Sequence, residues 1–359
     1  MSQEAPPNST TPLRYRDAGV DIAAADALSA TFARLAASTH TPDVVAHPSG
    51  YAGLLRLPLD AIREPVLATT CDGVGTKLLV AKRAGHYAGL GQDLVAMSVN
   101  DLLPLAARPL AFLDYIATGA LDSDALTAVV DGVAAACRAA GCSLLGGETA
   151  ELPGLYSAEQ FDLAGFAVGL ADGARLPEPE RIKAGDRVLA LPAQGIHANG
   201  FSLVRAALFE RGQLDLHASV AGLDAPLADV LLRPTPLYVQ PVLQLLAKYG
   251  FHAAAHITGG GLLGRLGAIL PAAARQHLHI DIDPDAVPRL PIFELIAEAG
   301  QVSAAEMANT FNMGLGFVIV VAQDAAPAIL REFPEWLDVG VVRPQRHGAA
   351  RVRFGELRA

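Results

Sequence analysis

Phosphate chemistry is suggested first by the stretch Ala68-Thr69-Thr70-Cys71-Asp72-Gly73-Val74-Gly75-Thr76-Lys77, which places a carboxylate, two glycines, a hydroxyl and an amine at the end of a short apolar run. Gly73 and Gly75 permit positive φ and close approach of backbone to a ligand. Thr76 and Lys77 add a donor and a cation for phosphate oxygens. Pro65 to Thr70 reads as a buried strand, so Asp72 would emerge at its carboxyl end, where open α/β sheets bind ligands. On its own this turn is equally readable as a solvated loop with glycines for geometry. A second acidic turn, Gly146-Gly147-Glu148, follows the apolar run Cys142 to Leu145; alone it could be a hairpin.

Between the two lies a segment from Gly91 to Leu103. At about 100° per residue, Asp93, Met97, Asn100 and Asp101 fall on one arc of a helix, with Val95, Val99, Leu102 and Leu103 opposite. Such a helix would bury an aliphatic face and present two carboxylates and an amide on another. The second half of the chain adds the turn Gln194 to Ser202, containing His197, Asn199 and Gly200. It also has a strand alternating His252, Ala254 and His256 before Thr258-Gly259-Gly260-Gly261. His197 titrates near neutrality when unperturbed and is a candidate proton-transfer group, although a lone turn histidine is more often structural.

Several elements would position these groups. Helical spacing marks Ala23 to Ala37, and Asp122-Ser123 would cap a helix carrying Leu126, Val129, Val130, Val133 and Cys137 that ends at Gly141. Strands are expected over Pro109 to Ile116, Phe161 to Leu170, Asp186 to Leu191, Met313 to Val321 and Arg351 to Phe354. Helices are expected over Leu203 to Arg211, Tyr238 to Tyr249, Phe293 to Gly300 and Ala325 to Glu332. Asn199 or Ser202 would cap the first of these. Charge and proline over Ala171 to Ala184 mark a domain boundary. The expected organisation is a disordered tail at 1–14, one domain at 15–171 and a second at 172–359.

A chain of 359 residues with 52% apolar content can build two cores. Its formal net charge of −10 argues against a nucleic-acid partner. No uninterrupted apolar run of spanning length or secretory leader is visible, so neither a membrane nor a signal peptide is expected. Cys71, Cys137 and Cys142 lack metal-ligand spacing and fit free thiols in a reducing cytoplasm. An acidic protein holding a phosphorylated ligand would use a divalent cation as a bridge.

In chain order, Tyr15 to Asp21, the Asp72 turn, Asp93 to Leu103, Phe112-Leu113-Asp114-Tyr115, Ala117-Thr118-Gly119, Glu148 to Tyr156, His197 to Arg205, His252 to Gly261 and Thr310 to Gly314 resemble the phosphoribosylformylglycinamidine cyclo-ligase family. The resemblance implies an α/β (α+β), two-domain ATP-binding fold. Strands of the N-terminal domain would form a barrel shared within a homodimer, and the second α/β domain would complete the cleft. It implies ATP-dependent closure of formylglycinamidine ribonucleotide to aminoimidazole ribonucleotide through a phosphorylated formyl oxygen. Asp72, Asp101 and Glu148 would hold Mg2+, with Asn100 beside them. Gly73, Gly75, Thr76, Lys77 and Asp93 would serve the nucleotide, and Lys77 would contact phosphate. His197 would transfer a proton, and Asn199, Gly200, His256, Thr258 and Gly259 would face the substrate. Cys71, where a small or hydroxyl residue is expected, and Ala198, where the family pattern has serine, depart from it. Other ATP-using members of the superfamily, or a nucleotide-binding scaffold without turnover, are the competing readings.

Overall fold

The structure is a computed structural model that describes residues 14–19, 21–48, 50–60, 62–345 and 351–358. The expected tail, apart from Arg14, and Val20 lie outside the described residues.

Helix α1 (Ile22–Ala37) begins where the Asp21 carboxylate accepts from the amides of Ala23 and Ala24. Strand β1 (Pro65–Gly73) leads through the glycine turn into α2 (Lys77–Ala84) and α3 (Ala88–Val99). Next come β2 (Arg108–Thr118), α4 (Ser123–Ala140), β3 (Ser143–Glu151) and β4 (Phe161–Asp172). Asp122 caps α4 at the Ala125 amide, as its position before the apolar run implies.

The four strands form one sheet in the order β1-β4-β2-β3, with β2 and β3 parallel and the other pairs antiparallel. Alternation divides its faces. Ala68, Phe112, Ile116, Leu163 and Ala167 are buried, whereas Leu67, Leu113, Tyr115 and Phe166 point the other way and are exposed. Helices α3 and α4 pack on each other at very short range because Gly91 has no side chain; a Cβ there would stand 2.1 Å from the Val129 carbonyl oxygen. The expectation of a buried first strand is corrected: β1 is an edge strand, exposed over most of its length, and it continues through Asp72.

The second sheet comprises β5 (Arg187–Pro192), β6 (Ala253–His256), β7 (Leu278–Ile282), β8 (Leu315–Val321), β9 (Leu337–Pro344), β10 (Val352–Phe354) and β11 (Leu357–Arg358). Their order is β11-β10-β7-β9-β5-β8-β6. Strand β8 is buried throughout, as its apolar run requires. A two-domain α/β architecture is therefore present. Where one helix was expected over Leu203 to Arg211, an α-helical turn at Phe201–Arg205 widens into a π-helical segment at Ala206–Arg211. Neither Asn199 nor Ser202 caps it; the chain enters through Gly200 at φ 84°.

Candidate active site

Of the polar groups picked from sequence, Asn100, Asp101, His197 and His256 meet along the seam between the two sheets. The turn after β1 meets the helical turn Phe201–Arg205: the hydroxyls of Thr76 and Ser202 are 3.1 Å apart. Asn100 opens the 3-10 segment Asn100–Leu105 after α3, so Asp101 is not on the regular arc expected of a continuous helix. Asn100 donates to the Pro236 carbonyl (2.9 Å) and accepts from the Tyr238 amide (2.9 Å), which ties the two domains together.

Strand β6 delivers His256, whose Nδ1 lies 2.9 Å from Asp101 Oδ1. The other histidine of the expected alternation, His252, precedes β6 and lies 3.8 Å from Asp186, away from Asp101. His197, Tyr238 and His256 form a ring cluster with centroids 6.1–6.3 Å apart. Tyr238 donates its hydroxyl hydrogen to the Pro192 carbonyl at 3.0 Å. With that hydrogen committed, the phenol oxygen can only accept from His197 Nε2, 3.5 Å away. This leaves Nδ1 of His197 as a bare lone pair, and Nδ1 is buried without a partner, as are Asn199 Oδ1 and Thr258 Oγ1. Buried polar atoms are normally satisfied, so these three are exceptions, as are His279 Nδ1 and Trp336 Nε1 elsewhere in the second domain. His197 holds its backbone at φ 69°, a strained conformation of the kind that clusters at functional sites.

Burial, with the neighbouring His256 and Lys77, holds the His197 imidazole well below its usual range. It is thus neutral at physiological pH, a proton acceptor rather than a donor. Burial pushes the Asp72 carboxyl up, the Gly73 amide opposes this, and the Asp101 charge adds to it. Asp72 and Asp101 are therefore two carboxylates close enough to repel.

Two of the expected site residues have partners or positions of their own in the fold. Lys77 is fully buried, with Nζ 2.6 Å from Asp93 Oδ2 and 2.8 Å from the Arg233 carbonyl oxygen. Asp93 is equally buried and accepts from Thr235 N (2.8 Å) and Oγ1 (2.7 Å). The pair fastens the domains and leaves no open face toward a phosphate. Glu148 also stands apart. Asp72 is level with Gly165, Gly165 with Asp114, and Asp114 with Gly147, so three strand spacings, roughly 14 Å, separate the two acidic turns. Glu148 pairs in register with Tyr115 on the open face. Among the described residues no cluster of three His, Cys, Asp or Glu side chains could hold a metal. Glu148 does not join Asp72 and Asp101 within one chain.

Tyr238 and Arg265 were not singled out from the sequence. Tyr238 carries no motif, and Arg265 sits in an otherwise apolar helical run. Asp114 also went unassigned: burial pushes its carboxyl up to about 6. Because this exceeds the unfolded value near 3.8, the native state is penalised once Asp114 ionises, so its contribution falls as pH rises from about 4 to about 6. Asp114→Asn is expected to stabilise the fold by about 3 kcal/mol at pH 8 and by almost nothing at pH 3.5. Denaturant unfolding at the two pH values would measure this, and an equal change at both would reject it.

The fold and seam define a two-domain class. The sequence matches "AIR synthase related protein, N-terminal domain" over residues 52–171 and "AIR synthase related protein, C-terminal domain" over 183–353. Phosphoribosylformylglycinamidine cyclo-ligase of Myxococcus xanthus is 48% identical over 316 residues, covering 88% of this chain and 90% of the relative. That of Nitrosococcus oceani is 43% identical over 354 residues, covering 97% of each. Among solved structures, thiamine-monophosphate kinase from Stenotrophomonas maltophilia shares the fold at TM-score 0.65 and 21% identity, covering 95% of this chain and 98% of that one. A hydrogenase maturation protein HypE in complex with ATP does so at TM-score 0.61 and 22% identity, covering 91% and 88%. The chain belongs to the phosphoribosylformylglycinamidine cyclo-ligase family of enzymes.

Proposed function

We propose that the protein closes the imidazole ring of purine synthesis in the cytoplasm, converting formylglycinamidine ribonucleotide and ATP to 5-aminoimidazole ribonucleotide, ADP and phosphate. The observation that carries this reading is the seam itself, where the rings of His197, Tyr238 and His256 cluster beside Asn100 and Asp101. The names of the relatives support the substrate, and the ATP held by the HypE of like fold supports the nucleotide.

A formyl oxygen is a poor leaving group. Transfer of the γ-phosphoryl group to it turns it into phosphate, and an amidine nitrogen then attacks the same carbon. That nitrogen must lose a proton, and His197, through the lone pair of Nδ1, would take it. Tyr238 fixes the imidazole through Nε2. Asp101 holds His256 through Nδ1, while Asn199, Gly200, Thr258 and Gly259 line the side where the substrate would lie. The turn Asp72-Gly73-Val74-Gly75-Thr76 faces the nucleotide. Asp72 and Asp101 would hold a bound Mg2+, which supplies neutralisation of phosphate charge. Lys77 and Asp93 keep the two walls of the cleft at fixed separation.

We assign the open face of the first sheet, with Leu113, Tyr115, Phe166 and Glu148, to a second copy of the chain, because edge strand β1 and this apolar surface would otherwise meet water. The expected state is a homodimer. Light scattering should give twice the chain mass at micromolar concentration, and Tyr115→Glu should shift it to monomer; an active monomeric parent would refute the assignment. The activity itself is tested by supplying the ribonucleotide, ATP and Mg2+. Equal amounts of ADP and aminoimidazole ribonucleotide are expected, and none under conditions where the Myxococcus relative turns over would reject the proposal.

A further inference from the structure

With Lys77 withdrawn into the interior, the seam needs another cation for the phosphate that its ligands carry, and one stands across the cleft from Asp72. Arg265 lies one turn into the helix Gly261–Ile269, which starts at the Thr258-Gly259-Gly260 turn. Helical side chains lean toward the N-terminus of their own helix. Arg265 follows that turn by one helical turn, on a helix whose Gly261 is packed against the backbone of Ala308 and Asn309. Its Nε is buried without a partner, and so is the hydroxyl of Thr258, which is 3% exposed. Its charge is felt at Asp72, on the opposite wall. Among the described residues it makes no ion pair, whereas Arg233 is paired with Asp224 at 2.5 Å.

We propose that Arg265, together with Thr258 and the glycine turn, is the phosphate grip of the seam. Guanidinium presents two parallel donors matched to phosphate oxygens, and the helix N-terminus adds partial positive charge behind them. The chemistry is that of a phosphate monoester, as on a ribonucleotide, or of the terminal phosphate of a nucleoside triphosphate. The monoester is the expected source, because Arg265 belongs to the wall carrying Thr258 and Asn199, whereas the nucleotide is assigned to the Asp72 turn. This deepens the proposed function and rests on it only for the choice between these two.

Titration calorimetry on the full chain tests it with ribose 5-phosphate, ribose and Mg2+-ATP as probes, using the parent, Arg265→Ala and Arg265→Lys. Arg265→Ala should weaken ribose 5-phosphate at least tenfold and leave ATP unchanged, ribose should bind poorly to all three proteins, and lysine should restore part of the loss. Weakened ATP with unchanged ribose 5-phosphate would keep the grip and move it to the nucleotide. Unchanged affinities for both in a variant that melts like the parent would overturn the proposal, as would a parent that does not distinguish ribose 5-phosphate from ribose. A parent that binds the monoester through Arg265 yet forms no aminoimidazole product would overturn the proposed reaction and leave the grip standing.

Discussion

Asp101→Asn should lower turnover on the order of a hundredfold, equivalent to about 2.7 kcal/mol of barrier, while leaving the folded protein close to parental stability. The substitution keeps shape but removes the charge that both orients His256 and completes the carboxylate pair with Asp72. His256 Nδ1 loses an anionic acceptor at 2.9 Å, and a charge-assisted bond becomes a neutral one of about half the strength. Asp72 loses the neighbour that adds to its raised pKa, so its carboxyl ionises more readily but faces a cation alone. Asp101 is about one third exposed (31%), so water replaces what is lost and the fold is little affected. Steady-state rates over a range of Mg2+ concentrations would show a lower maximum and a higher Mg2+ requirement. A maximum within about twofold of the parent, at any Mg2+, would return Asp101 to a structural role.

Much of this arrangement can be read in the chain, and the reasons for the remainder are physical. Asp122 before an apolar repeat gives a capped helix because capping is local and depends on a few residues. His256, Thr258 and Gly259 also reach the seam, since a strand running into glycines leaves few alternatives. Glu148 was misplaced for a different reason. Two acidic turns at strand ends look equivalent in sequence, but the order β1-β4-β2-β3 puts two other strands between them, and strand order depends on contacts far apart in the chain. Strand β9 was missed because Asp338 and Gly340 interrupt its apolar pattern. Gly340 is there for close packing: a Cβ would meet the Asp281 carbonyl oxygen at 2.4 Å.

Lys77 shows most clearly what the linear motif conceals, and its partner gives the largest expected effect on stability. Beside two glycines and a threonine it reads as a phosphate ligand. In the fold it begins α2 and is met by Asp93 from α3 and by the Arg233 carbonyl from the second domain. Asp93→Ala would leave a fully buried ammonium without its anion and strip the Thr235 amide and hydroxyl of their acceptor. Removing one member of a buried pair typically costs 3–5 kcal/mol, so the midpoint of denaturant unfolding should fall by a corresponding amount. Lys77→Met alone should cost less, because Asp93 can take up a proton and keep its bonds to Thr235. The double variant Lys77→Met with Asp93→Ala should be more stable than the sum of the two losses predicts, since the ammonium that Asp93→Ala strands is then absent. If Lys77 instead served a phosphate, Lys77→Met would raise KM for ATP with no change in the unfolding midpoint, and the two losses would simply add. A structural pair gives the reverse: a lowered midpoint, positive coupling, and an ATP affinity measured on the folded fraction that follows the fold.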